Sequence, residues 1–529
     1  MNKERAYKVA IVSFALLLFF SYSFIALNSP NKFTSPDENS YYHFTKRFAE
    51  GKEIPSPVPD IENSEHIYPR NAVYYEGKLY PKGFLGIIII YGLFGRLHIG
   101  LLPLMTPLIG LLGIVFLFFL IKDLFGKETA ILSTIIVAFL PPYLFWSNMN
   151  FYNNAPTAAF FIGGLLFLFR YLKDGKKQDI GISAALFALA TWFRYETSVL
   201  IALTMGYVVL VRISKKKFNL EFVKDLAIFS VLFLIVLSPV LYYNTKLFGG
   251  PMSLGYNVAK GINGNGESED EALFEGLAVT ARRFLMPAGF WPSRMVVNGY
   301  NFILNMLPLY TILSLLGVFL FLRMQNNHLQ KMFFGIALLV SLYLLTYYGS
   351  GFFYGYDQAP LLSSSYVRYF LPIYMMMGVF AGISLKKMMD YNKLIFIFIF
   401  VILLSSSVTF AFFSNQAIIA TNSRRNSYLD VENYIERMTP PDAIILTRYW
   451  DKAIFPTRQV MTRSFINEDH QHIKLAALIF SYKEQGMEIY YLNDRRVDLP
   501  TLTQELRIIG LDTRKISSRF GGLYQIIYD

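Results

Sequence analysis

The sequence predicts a polytopic α-helical membrane protein. It has about eleven transmembrane helices, a re-entrant or juxtamembrane segment and a small C-terminal α/β domain. Three observations carry this. The 529 residues are 54% hydrophobic, with a mean hydropathy of +0.38. Apolar runs of about 20 residues recur, each long enough to cross a hydrocarbon core of about 30 Å as a helix. Beyond about Ser414 those runs stop, and short strand-like and helix-like patterns alternate.

The spans fall near 9–27, 101–121, 128–146, 155–172, 179–193, 197–212, 223–243, 301–322, 331–348, 366–385 and 393–413. Val9 to Leu27 is long enough to span and is not followed by a small-residue cleavage pattern, so it is a first span rather than a cleaved leader. The formal charge of +12 raises the question of a nucleic-acid partner. Its placement answers it. With the N-terminus cytoplasmic, the inner segments hold 19 basic residues, from Lys3 to Lys393, and 8 acidic ones, a surplus of 11 out of 12. That is the positive-inside signature, not a nucleic-acid footprint. Eleven spans then put the C-terminus outside.

Phe84 to Gly95 is apolar but short and punctuated by glycine, with Arg96 and His98 following. Counting it as a span would move the lysine-rich loops outside, so residues 84–99 are expected to be re-entrant or interfacial on the outer side. The same face carries loops 28–83, 244–300 (with "GINGNGESEDE", 261–271) and 349–365. Residues 1–413 thus form a membrane domain and 414–529 a soluble extracytoplasmic one. In the latter, 427–438, 472–485 and 499–509 read as helices, and 443–447, 488–492 and 523–528 as strands. No glycine-rich phosphate fingerprint accompanies them, so no nucleotide is assigned. Cysteine is absent, which removes thiol chemistry.

The first outer loop contains "TSPDENSYYHF", 34–44. Ser35, Pro36 and Glu38 fit a capping box, with serine at N-cap, proline at N1 and glutamate at N3. Glu38 is explained locally by this. Asp37 is not. It heads a stripe continued by Tyr41, Phe44 and Phe48, at spacings of four, three and four, which is otherwise apolar. A carboxylate there needs a partner or a wet cavity. Acids at helix starts are common, so the residues alone leave cap and function both open.

A first span followed by an outer-loop "DE" that opens a juxtamembrane helix resembles the GT-C glycosyltransferases. The likeness is to the protein O-mannosyltransferase and aminoarabinose transferase type, which use polyprenyl-phosphate donors. Further pieces keep the same order: "GKLYPKGFLG" (77–86), "FYNNAPTAAFF" (151–161), "ALATWFRYETSVL" (188–200) and "SSSYVRYFLPIY" (363–374). The resemblance covers about residues 1–413. It implies an inverting transfer of a sugar from a polyprenyl-phosphate (dolichyl-phosphate) donor to a glycan, lipid or protein acceptor at the outer membrane face. Membrane lipid is a partner and nucleic acid is not.

Such a transfer needs a base near the acceptor hydroxyl and positive charge on the departing phosphate. The resemblance assigns Asp37 as the base, with Glu38, Tyr41 and His43 supporting it or the acceptor. It assigns Lys82, Arg368 and Arg194 to the phosphate, and Asn153, Asn154, Glu196 and Tyr366 to the lining. Each has a plainer alternative. Lys82 could snorkel at the interface. Arg194 could pair with Glu196 at a helix break. Arg368 could anchor a span end, although its fork of donors suits phosphate oxygens. Where many relatives carry an acid, this chain has Asn150, Asn153 and Asn154, weaker ligands for a hard cation. No metal is therefore expected to be required, and Asp37 with Glu38 is the conditional site for a divalent cation. His43 and His66 lack the further ligands of a zinc site. Trp291, Tyr354 and Tyr356 could stack on sugar or serve in the aromatic belt. The competing functions are a transporter or flippase for lipid-linked sugars, and a glycan polymerase or ligase using a lipid diphosphate donor.

Overall fold

A computed structural model describes residues 17–149, 151–255, 286, 288–351, 361–462, 471–493 and 499–529. Asn150, the 261–271 stretch, Tyr354 and Tyr356 lie outside the described residues.

In chain order, α1 (Leu17–Leu27) is followed by α2 (Pro36–Ala49), the short strands β1 (Ser56–Pro57), β2 (Ala72–Tyr75) and β3 (Lys78–Pro81), and α3 (Gly86–Gly95). Then come α4 (Met105–Phe125), α5 (Lys127–Phe139), α6 (Pro141–Asn148), α7 (Asn154–Asp174), α8 (Lys177–Phe193), α9 (Thr197–Ser214) and α10 (Leu220–Phe248). The second half begins with α11 (Pro292–Gly299), α12 (Pro308–Arg323), α13 (His328–Tyr347), α14 (Ser365–Tyr369), α15 (Leu371–Tyr391) and α16 (Lys393–Phe413).

Among the described residues, six helices are long and apolar enough to cross a membrane, or eight spans if two bent pairs each count as one. The protein is a multi-pass membrane protein. Of the remaining expected spans, 179–193 and 366–385 overlap α8 and α15, while only 17–27 of the first falls among the described residues, as α1. Two expected spans are broken rather than continuous. That near 128–146 bends by 60° between α5 and α6, and that near 301–322 bends by 101° just before α12. Proline explains both. Pro141, Pro142 and Pro308 lack the amide that would continue the preceding helix, but fit the first turn of the next one.

The chain divides into two compact units. The first comprises residues 1–27, 103–241 and 267–420. Its helices approach closely through small residues. On α12, a Cβ added to Gly317 would lie 1.9 Å from the Phe380 carbonyl oxygen of α15. Flanking that contact, the Ser384 hydroxyl donates to the Leu313 carbonyl at 2.6 Å, and the Ser314 hydroxyl to the Met377 carbonyl. The Ser133 hydroxyl of α5 donates to the Val379 carbonyl at 3.3 Å. With backbone amides spent inside each helix, such side chains add specific links where lipid gives little hydrophobic drive.

The second unit comprises residues 28–102, 242–266 and 421–529. Helix α17 (Ile418–Met438) leads into α18 (Asp451–Ile454), α19 (Gln471–Glu484) and α20 (Leu499–Ile508). The strands are β4 (Ile444–Leu446), β5 (Gln459–Met461), β6 (Ile489–Leu492), β7 (Leu511–Ser517) and β8 (Leu523–Tyr528), in the order β5-β4-β6-β8-β7. The three strands on the β5 side run parallel, whereas β8 is antiparallel to β6 and β7. Ile444, Leu446, Ile479, Tyr491, Leu506 and Ile526 belong to its core. The three expected strands are β4, β6 and β8. The other two, β5 and β7, are edges, and β7 carries Asp512, Arg514 and Lys515, charges that blunt an edge. Residues 72–81 form a hairpin whose turn residues Glu76 and Gly77 both have positive φ, and the 77–86 stretch runs from its second strand into α3. Helix α3 then follows as the short apolar segment expected there.

Candidate active site

In the first unit, a small cavity of about 30 Å³ is lined by Asn154, Arg194, Glu196, Tyr348, Arg368 and Tyr369 among others. Four of the expected residues (Asn154, Arg194, Glu196 and Arg368) thus share one site. Arg194 sits in the break between α8 and α9, where its backbone is extended (φ −154°, ψ 113°). Its Nε pairs with the Glu196 carboxylate, and its Nη2 donates to the Tyr348 hydroxyl at 3.0 Å. That hydroxyl in turn donates to Glu196. The helix-break ion pair raised by the sequence is therefore present, but within the cavity rather than apart from it.

Arg368 reaches the cavity from α14. Its Nη2 donates to the Ser365 and Tyr369 hydroxyls, both at 3.3 Å. Its guanidinium lies 4.8 Å from the Tyr152 ring and 5.2 Å from the Tyr369 ring. Arg194 is 4.8 Å from the same Tyr369 ring, which stacks on Tyr348 at 4.2 Å and 15°. Aromatic faces stabilise guanidinium charge without consuming its donors, by about 0.5–2 kcal/mol each. Two arginines against one glutamate leave the charged lining net positive by one, an arrangement suited to an anion. Tyr152, Tyr348 and Tyr369 escaped the sequence reading because aromatic residues near span ends look like belt residues.

Asn153 is buried at the start of α7, where its carbonyl accepts from Thr157. Tyr366 does not line this cavity. Its hydroxyl donates to the Gly351 carbonyl and accepts from Asn298 at 3.1 Å, while its ring lies 4.7 Å from Phe302, so it packs the span end.

In the second unit, Ser35 caps α2 as expected, its hydroxyl accepting from the Asp37 amide at 3.1 Å. Tyr41, Phe44 and Phe48 are buried, and Asp37 at the head of their stripe remains partly exposed. Glu38 proves to be more than a capping residue. Its fully buried side chain pairs with the fully buried Arg425 of α17 at 2.9 Å. Burial pushes the Glu38 carboxyl up to about 6, against the opposing pull of Arg425 and a backbone hydrogen bond from Ser35.

Tyr41 acts on the loop that follows. Its hydroxyl accepts from the Phe84 amide at 3.0 Å and occupies the space that a Cβ on Gly83 would need, 2.0 Å away. Lys82, partly exposed, precedes that glycine. Its amide donates to the Asn71 carbonyl at 3.3 Å, which also accepts from the Ser40 hydroxyl of α2 at 2.8 Å. Helix α2 therefore holds both Asp37 and the backbone at Lys82. His43 packs edge-on against Phe455 at 4.7 Å. Burial, with nearby Arg47, Lys46 and Lys52, pushes its imidazole down to about 3, which keeps it neutral near pH 7.

The Glu38 half of the conditional cation site is already engaged through one carboxylate oxygen by the buried Arg425. Among the described residues, no group of three or more His, Asp or Glu side chains converges as a cation site.

Comparison with solved structures bears on the fold. ArnT from Cupriavidus metallidurans bound to undecaprenyl phosphate superposes with a TM-score of 0.59 at 12% identity, covering 98% of this chain and 98% of that one. The fold is that of the GT-C glycosyltransferases. The archaeal oligosaccharyltransferase AglB from Archaeoglobus fulgidus, in complex with an inhibitory peptide and a dolichol-phosphate, gives a TM-score of 0.54 at 12% identity, over 97% of this chain and 74% of that one. An Archaeoglobus fulgidus oligosaccharyltransferase tethered with an acceptor peptide gives 0.56 at 10% identity, over 98% and 74%. No curated protein matches the chain by sequence. Residues 81–243 match the family described as dolichyl-phosphate-mannose-protein mannosyltransferase. Within the GT-C fold, that match takes in Lys82, Asn153, Asn154, Arg194 and Glu196, and leaves Asp37 and Arg368 outside it.

Proposed function

We propose that this protein transfers a sugar from a polyprenyl-phosphate donor to an acceptor on the outer face of the membrane, with inversion at the anomeric carbon. The observation that carries this reading is the cavity in which Arg194 and Arg368 share the Tyr369 ring, with one carboxylate for two guanidiniums. The lipid phosphates named with the ArnT and AglB structures support an anion of that class. The positive-inside pattern supports a cytoplasmic N-terminus and an outer-face reaction.

In the proposed reaction, Asp37 accepts the proton of the acceptor hydroxyl as its oxygen bonds to the anomeric carbon. The bond from that carbon to the phosphate oxygen breaks, and the polyprenyl phosphate leaves carrying the bonding pair. Arg368, Arg194 and Lys82 stabilise the charge that develops on it. Glu38 and Tyr41 hold α2 and the loop it supports. No step is assigned to a metal.

The test uses purified protein in lipid nanodiscs, with radiolabelled mannose, glucose or aminoarabinose on polyprenyl phosphate and a membrane extract as acceptor source. Wild type should consume at least one donor, and Arg368→Ala should lower kcat/KM about a hundredfold. Asp37→Asn should abolish transfer while still binding the donor. Absence of turnover with every donor, or wild-type turnover in Asp37→Asn, would overturn the respective assignments. The charged break between α8 and α9 is the observation that favours a transporter, since such proteins use interrupted helices. Movement of intact donor across proteoliposomes, without cleavage of the glycosidic bond, would establish that alternative.

A further inference from the structure

The proposed base sits on a short stretch that is held from a distant part of the chain. On either side of Asp37, the second unit anchors residues 32–39 at four points. Lys32 pairs with Glu432 and donates to the Ala453 carbonyl at 3.0 Å. The Thr34 carbonyl accepts from Lys452 at 2.9 Å. Glu38 pairs with Arg425 at 2.9 Å. The Asn39 side chain donates to the Phe455 carbonyl at 3.0 Å. Every one of these partners lies in residues 425–455. A helix start needs only its cap to form, so four further anchors are far more than local folding requires.

Among the four, Arg425 and Glu38 are fully buried. A buried ion pair is a poor device for stability alone, because desolvating both charges offsets much of their attraction. It does fix geometry well, since moving either charge gives up a buried contact at 2.9 Å. Glu38 is the immediate neighbour of Asp37 in the first turn of α2, so fixing one carboxylate fixes the backbone that carries the other. Pairing also keeps Glu38 from acting as an uncompensated like charge beside the base.

We infer that Arg425 is a positioning residue for Asp37, acting through Glu38, and that residues 425–455 are a working part of the transfer machinery rather than an appended domain. This rests on Asp37 being the base. It gives the C-terminal region a role that the sequence left open.

The deciding variant is the double substitution Glu38→Gln with Arg425→Met, which removes both charges and leaves neither orphaned. In nanodiscs with the donor that wild type consumes, kcat per folded molecule should fall about tenfold to a hundredfold, because small displacements of a reacting group are costly. The donor KM should stay within about twofold. Arg425→Lys, which keeps a cation, should recover part of kcat. Wild-type kcat per folded molecule in the double variant would overturn the inference. If the double variant does not fold, Lys452→Met replaces it. That change frees the Thr34 carbonyl and gives up a 4.9 Å contact with the Tyr428 ring, and it should lower kcat several-fold, whereas wild-type kcat would overturn the inference. Asp37→Asn separates the two readings. If it is dead while the double variant is fully active, Asp37 stands and Arg425 falls. If it is fully active, the base assignment itself falls.

Discussion

Residues 37 and 38 look alike in sequence and differ in what surrounds them. Glu38 is sealed against Arg425, and Asp37 keeps a partly exposed face. The apolar stripe beneath Asp37 was legible because helix periodicity is local. The partner of Glu38 was not, because it lies 387 positions away and no local pattern announces it. Two predictions belong at this scale. Gly83→Ala should destabilise the protein by about 1–3 kcal/mol, since the new methyl meets the Tyr41 hydroxyl. Adding Tyr41→Phe should restore part of that loss, measured by thermal unfolding of both variants. The second concerns pH. Below about 6.5 the unfolded chain protonates His43, whereas the folded protein refuses that proton until about pH 3. Stability from His43 is therefore complete above 6.5 and is lost as pH falls. Glu38 has the opposite sign: its contribution is complete below its ordinary value of 4.5 and is lost as pH rises through about 6. The two oppose each other between 4.5 and 6, and only His43 acts below. His43→Phe should flatten the fall in thermal midpoint below pH 4.5.

At the level of elements, helices were legible by position and poorly legible by continuity. Hydropathy averages over a window and cannot see that Pro141 or Pro308 ends one helix and begins another. The missing strands β5 and β7 share a different cause. Strand β7 carries charge, and β5 is only three residues long and opens on Gln459, so neither shows the apolar run that revealed β4, β6 and β8. The α12–α15 contact yields a prediction of its own. Gly317→Ala places a methyl against the Phe380 carbonyl, and the helices must separate to admit it. The cost should be about 1–3 kcal/mol. A drop in thermal midpoint, with kcat per folded molecule unchanged, is the expected result.

Across the whole molecule, the multi-pass helical class was legible in the hydropathy. The candidate site was half legible. Arg194, Glu196, Asn154 and Arg368 stood out as polar groups near span ends. Tyr348 and Tyr369, which organise the two arginines, were hidden among 36 tyrosines. The second unit is less readable still, since it gathers three separate stretches of chain. Its contacts therefore span most of the sequence, and no window of a few tens of residues contains them.

The ion pair between Glu38 and Arg425 also sets a schedule. A ribosome releases the loop carrying Asp37 early, and the residue that completes it emerges nearly four hundred codons later. Every apolar span could already be inserted while the proposed base still awaited its support. The protein would then acquire competence last, as a whole. A nascent chain halted after residue 420 should integrate into the bilayer yet leave residues 28–102 open to protease, whereas the finished chain should protect them.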